Sequence, residues 1–253
     1  MPANFLELPR ELRDCVYELC LLHEESINPW AGSFQRQELT PGLLRVNKTV
    51  HQEARFLLYS QNRFDCTEAS PEDIASFLET IGHNNADCIR QVYINFPDFL
   101  YLDPGDIALK DDSIAILTSI QISCTKLRTL TISPYSTYAM ELRLDALDYP
   151  KIATEALKLV DTRFRAITSL QEIVVEVYEN GPSGYIRRKM ESYNWTVRIT
   201  EDEGTEDEGD WDTGRHFFSD SEDDWGDDYS YDSREDDYDI DNDSDFWRRA
   251  ADD

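Results

Sequence analysis

At 253 residues the chain is long enough for one large domain or two small ones, and its net charge of −28 is unevenly spread. Residues 201–253 hold 24 of the 52 acids and four of the 24 basic residues, a net −20, which leaves −8 on the first 200, an ordinary mildly acidic body. Body and tail would both repel a phosphate backbone, and Arg187, Arg188 and Lys189 form the one compact basic run in the body, so direct nucleic-acid binding is not expected.

No stretch approaches the ~20 apolar residues that span a bilayer, and the opening MPANFLELPRE lacks the basic start and apolar run of a secretory leader. The five cysteines, Cys15, Cys20, Cys66, Cys88 and Cys124, are odd in number, include no C-x-x-C pair and sit in apolar stretches. A reduced compartment, cytosol or nucleus, is the expectation.

In chain order, the stretch FLELPRELRDCVYELCLL (5–22) reads as a helix with Pro9 in its first turn and one apolar stripe, Leu12, Cys15, Val16, Leu19 and Cys20. Pro29 and Gly32 mark residues 23–40 as a loop. Thr40-Pro41 then reads as a cap and first-turn proline opening a second helix, with a stripe of Leu43, Val46, Val50, Ala54, Leu57 and Leu58. Neither short helix stands alone in water, so each is expected to cover the other.

From residue 66 helix and strand signals alternate. Helices are expected over 71–82, with Ile74, Phe77, Leu78 and Ile81 inward, and over 113–124, 151–167 and 184–193. Strands are expected over 88–96, 126–133, 169–178 and 195–200. Three strands share one spacing: Ile89, Val92 and Ile94; Leu127, Leu130 and Ile132; Leu170, Ile173 and Val175, with starts 38 and 43 residues apart. The expected class is therefore α/β, with α+β the alternative, its strands side by side in parallel. The sheet is a degenerate relative of a leucine-rich repeat, since Pro97, Tyr135 and Tyr178 stand where the ladder asparagine belongs.

The tail, 201–253, scatters nine aromatics through its acids. Ordering its 53 residues would cost on the order of 50–100 kcal/mol, against at most ~27 from burying nine rings, so disorder is the expectation. It reads as a solubilising tail or an acidic-aromatic contact segment. Ser219, Ser221 and Ser233 each precede an acid by three residues, a context that acid-directed kinases favour, and neither Asp239 nor Asp241 opens a workable EF-hand loop.

Chemistry is not in evidence. There is no phosphate-cradling glycine loop and no G-x-S-x-G, and His51-Gln52-Glu53 lacks the P-C-x-x-C that would complete a deaminase zinc site. The histidines, His23, His51, His83 and His216, lie in no ligand spacing. No enzyme activity, cofactor, metal or small-molecule substrate is inferred.

LELPRELRDCVYELCLL, followed by LLRVNKTVHQEARFLLYSQNRF, is similar to the N-terminal module of a large group of fungal proteins that resemble F-box proteins, including those named for two E-x-R motifs. Both motifs are present, as Glu11-Leu12-Arg13 and Glu53-Ala54-Arg55. Leu8, Pro9, Glu11, Leu12 and Val16 match the start of the module, and Leu44, Arg45, Val46 and Lys48 its L-x-x-V-x-K region. The resemblance covers about residues 5–65; with the alternating helix and strand signals and the charge of the tail, the chain is expected to divide into a helical module over 1–65, an α/β domain over 66–200 and the tail over 201–253. The resemblance implies an adaptor that docks to the small linker subunit of a cullin-type ubiquitin ligase through Leu8, Pro9, Glu11, Leu12, Val16, Leu44 and Val46. The alternative is a scaffold or interaction protein without a ligase role, acting through its tail; there the helices are a structural start, with Leu12 and Val16 in the core and Glu11 and Arg13 as surface ion-pair partners.

Overall fold

The computed structural model describes residues 5–30, 40–147, 149–180 and 184–201. Its elements are α1 (Arg10–Leu21), α2 (Lys48–Gln61), β1 (Arg63–Asp65), α3 (Pro71–Ile81), α4 (His83–Ala86), β2 (Gln91–Ile94), β3 (Phe99–Asp103), β4 (Asp106–Leu109), α5 (Asp111–Ser123), β5 (Thr129–Ile132), α6 (Pro134–Asp145), α7 (Pro150–Arg165), β6 (Glu172–Tyr178), α8 (Gly184–Ser192) and β7 (Thr196–Thr200).

Short polar side chains cap three of the described helices. Asn47 caps α2 by accepting from Val50 N at 3.0 Å. Ser70 caps α3 in a reciprocal box, accepting from Asp73 N at 3.2 Å while the Asp73 carboxylate takes Ser70 N at 3.0 Å. Ser133 caps α6 ahead of Pro134. Gly82, with φ 78°, ends α3 in a conformation that a side chain would strain.

Five strands form one parallel sheet in the order β1-β2-β5-β6-β7. Phe64, Val92, Leu130 and Ile173 stand in register across it. Ile27 adds a single bridge outside β1, with Ile27 N 2.8 Å from Arg63 O and Asp65 N 2.7 Å from Ile27 O. Strands that follow chain order with right-handed crossovers send every connection over the same face, so the helices lie in one layer. Alternate strand residues therefore go two ways. Phe64, Val92, Ile94, Leu130, Ile132, Ile173, Val175 and Val177 join one hydrophobic cluster that runs from Tyr17 to Trp195. The opposite face carries Arg63, Asp65, Gln91, Tyr93, Thr129, Thr131, Glu172, Val174, Glu176 and Arg198.

The expected parallel sheet and its repeated apolar spacing are present, and Ile74, Phe77, Leu78 and Ile81 are all buried. Five elements go beyond the expected alternation. β1 is only three residues long. The antiparallel hairpin β3–β4 turns at Pro104 and Gly105 and packs on α7. α4 is a single turn. α6 escapes a search for apolar stripes because two of its four buried residues are Thr137 and Glu141. The second helix also starts later than expected: residues 41–45 form a 3-10 turn, and Asn47, not Thr40, is the cap of α2. The expected tail disorder falls on residues outside those described.

Candidate functional site

The apolar stripe expected to face inward on α1 faces outward. Leu12 is 53% exposed and Leu19 86%, Cys15 is exposed, and Val16 and Cys20 are half-buried. Tyr17 and Leu21 are the buried side chains of this helix instead. The cause lies 40 residues away on α2, where Glu53 draws the polar side of α1 inward.

Arg13 donates to that carboxylate through two bonds, Nε to Oε2 at 2.9 Å and Nη2 to Oε1 at 2.7 Å. The Tyr17 hydroxyl donates to Oε2 at 2.8 Å, and Arg10 Nη1 lies 3.0 Å from Oε1. The arginine of the first E-x-R motif thus pairs with the glutamate of the second, and Arg13 does not partner Glu11, which is exposed. A planar guanidinium matched to a carboxylate fixes the angle between the helices as well as holding them. Hydrogen bonds from Arg13, opposed by burial and reinforced by Tyr17, lower the Glu53 pKa to about 2. Burial first, and then the bond to Glu53, raise Tyr17 to about 12.

The far ends of both helices meet at Asn62. Its Nδ2 donates to Leu21 O at 2.8 Å and Leu58 O at 2.9 Å, and its Oδ1 accepts from His23 N at 2.9 Å. One buried amide satisfies terminal carbonyls of both helices.

Of the residues expected to contact a partner, Pro9, Glu11 and Leu12 are exposed, and Leu8 and Val16 are half-buried on the same helix or just before it. Val46, beyond the 3-10 turn, is 63% exposed. Leu44 is different: it is buried, and its carbonyl accepts from His51 Nδ1 at 2.9 Å, so it holds the turn in place.

A second polar cluster, which sequence reading did not single out, lies on the sheet face opposite the main hydrophobic cluster. Tyr93 on β2 reaches across β5 to donate to Glu176 Oε2 on β6 at 3.0 Å, lying over Thr131 on the way. The Arg63 guanidinium sits 5.0 Å from the centre of the Tyr93 ring. Arg63 and Arg198 approach Glu176 Oε1 from two sides at 3.9 and 3.8 Å. Burial, aided by Glu176, pushes the Tyr93 phenol well above its usual value. Along the sheet's upper edge runs a short polar ladder. Asn95 Nδ2 donates to Thr67 O at 2.6 Å, and Ser133 Oγ donates to Asn95 Oδ1 at 2.9 Å. Asn95 and Ser133 directly follow the apolar spacing of their strands, two residues earlier than the ladder position tested in the sequence, and that is the signal that was missed.

The basic run 187–189 is not a patch. Arg187 turns inward to Glu141, with Nε to Oε1 at 3.0 Å, and to Tyr178 O at 2.6 Å. Arg188 bonds Gly184 O, and Lys189 lies over the Tyr193 ring. All five cysteines are free thiols. A hollow of about 150 Å³ beside β2 has an apolar floor of Cys66, Ile94, Ile116 and Leu117, and Asp98 on its rim is paired with Lys110 at 2.9 Å. Among the described residues no cluster of three or more His, Cys, Asp or Glu is placed to hold a metal, and no helix is long and apolar enough to cross a membrane. No family model, curated protein or solved structure matches the chain.

Proposed function

We propose that the chain is a non-catalytic protein-interaction adaptor of the F-box-like kind. In this reading α1 and α2 dock to the small linker subunit of a cullin-type ubiquitin ligase, and the sheet behind them, leucine-rich-repeat-like in its strand order, faces the substrate. One observation carries it: Leu12 and Leu19 of α1, and Val46 ahead of α2, stand in water, while the helices are clamped from behind by Arg13, Glu53 and Asn62. A helix that turns Arg13 and Tyr17 inward while Leu12 and Leu19 stand in water has an apolar stripe fit to be covered by something else. The test is a pull-down of the linker subunit by the full chain, by Leu8→Ala/Pro9→Ala and by Leu12→Asp. Wild-type binding lost in both variants supports docking, and no binding by the wild type ends it.

A second reading, a scaffold without ligase role that works through its acidic aromatic tail, is favoured by the Ile27 bridge. Through it the segment between the helices joins the sheet, which makes the helical pair a structural first unit. The linker subunit would then be absent from purified complexes, and removing the tail would change the partner set.

A further inference from the structure

We propose that the hollow at the carboxyl ends of β1 and β2 is a docking site for a lysine side chain carried on an extended segment of another protein. The aliphatic stem lies on the floor of the hollow and the ammonium between Asp98 and Asp112. The proposal goes beyond the adaptor reading and stands without the linker subunit.

Place and shape come first. The chain leaves the sheet after Asp65 and again after Ile94, and the first turns of α5 close the third side, which leaves a space of about 150 Å³. The carboxyl ends of parallel strands are where open α/β sheets receive ligands. Cys66, Ile94, Ile116 and Leu117 make the floor, so the lower part of the hollow suits methylene groups.

Charge then selects the occupant. The segments that line the hollow, 66–69, 94–98 and 112–117, contain Glu68, Asp98 and Asp112 and neither lysine nor arginine, and Asp111 adds a fourth acid beside them. Lys110 pairs with Asp98 Oδ2 from outside the hollow at 2.9 Å, and Arg143 of α6 reaches the adjoining hairpin, where it donates to Phe99 O at 2.7 Å. With both bases counted the rim carries 2 − 4 = −2. Asp111 and Asp112 stand on the first turn of α5 and answer the positive end of that helix, so an incoming anion meets carboxylates instead of bare N–H groups.

The arrangement of acceptors narrows the cation to lysine. Asp98 has one oxygen engaged by Lys110 in an exposed pair, and Asp112 has no hydrogen bond or ion pair among the described residues. The acceptors left over therefore belong to two separate segments of the chain. A compact ammonium with three donors serves both at once, whereas the planar fork of an arginine is matched to the two oxygens of a single carboxylate.

The test titrates the full chain, labelled with nitrogen-15, with a blocked alanine peptide that carries one central lysine. Individual backbone amides are followed by NMR, so that attraction of the peptide to acids elsewhere in the chain is read apart from binding in the hollow. Saturable shifts are expected at the Cys66, Thr67, Asn95 and Ser113 amides, with affinity several-fold weaker when acetyllysine, norleucine or arginine replaces the lysine. Asp112→Asn should weaken binding several-fold, whereas Asp103→Asn, at the hairpin turn and outside the lining segments, should leave it unchanged. Absence of saturable shifts at these amides, equal affinity for any of the three replacement peptides, or equal effects of the two substitutions would overturn the proposal. The peptides are compared in the unaltered chain, so misfolding of Asp112→Asn does not decide it.

Discussion

Two arginine–glutamate pairs fasten helices at opposite ends of the chain, and their carboxylates respond in opposite directions. Between α1 and α2, Glu53 is held down to about 2 by the Arg13 bonds. Between α6 and α8, Glu141 is pushed up from the ordinary 4.5 because its burial outweighs the Arg187 bonds. The difference is hydration set against donors. The Glu53 side chain keeps 10% of its surface in water and collects Arg13, Arg10 and Tyr17, whereas Glu141 keeps 1% and has Arg187. An ion pair at a wetted seam is a clamp; one inside the fold is a group that must be kept satisfied.

The strongest way to break this comparison is Arg187→Met, which strands Glu141. A loss of about 3–5 kcal/mol is expected at pH 7 in urea unfolding. Its pH dependence sharpens the point. A carboxyl whose folded pKa is raised favours the fold fully below its unfolded value of 4.5 and loses that contribution as pH rises through the folded value. The variant's deficit should therefore grow as pH rises above 4.5, and a deficit independent of pH would refute burial as the cause. Next comes Asn62→Ala, which leaves the Leu21 and Leu58 carbonyls and the His23 N–H without their amide; a loss of about 2 kcal/mol is expected by the same measurement.

Glu53→Gln is expected to cost less, about 1 kcal/mol at pH 7, since the amide oxygen still accepts from Arg13 or Tyr17. Here the sign reverses. A depressed pKa gives stability that is present above 4.5 and is lost as pH falls toward about 2. The substitution should remove that acid-side decline, and an unchanged acid limb in denaturation followed from pH 5 to 2 would show that the clamp contributes nothing.

The same contrast explains what the sequence made legible. The sheet was readable because its apolar spacing, Ile89, Val92 and Ile94 and its two counterparts, is local and is buried as written, with Leu170 alone half-exposed. α6 was not readable, because one of its inward residues is the charged Glu141, whose place depends on Arg187, 46 residues on. α1 was read as a helix but turned the wrong way: hydrophobicity selects Leu12 and Leu19 for the core, and only Glu53 tells that Arg13 and Tyr17 go there. The hairpin did carry a local sign in Pro104-Gly105. Among the candidate contacts, Pro9, Leu12 and Val46 fall on the surface, while Leu44 is taken by the core because the turn before α2 needs an anchor.

The smallest expected effect on stability is also the most discriminating for function. Leu19→Ser removes the most exposed leucine of α1, a side chain 86% in water, and should shift the urea midpoint by no more than about 0.5 kcal/mol equivalent. A leucine there gives the isolated fold almost nothing, yet it lies seven residues from Leu12, two helical turns along the same stripe. If that stripe is a docking face, Leu19→Ser lowers capture of the linker subunit while melting is unchanged. If instead melting falls by 2 kcal/mol or more, Leu19 is covered within the fold in solution, and the outward turn of α1 on which the adaptor reading stands is wrong.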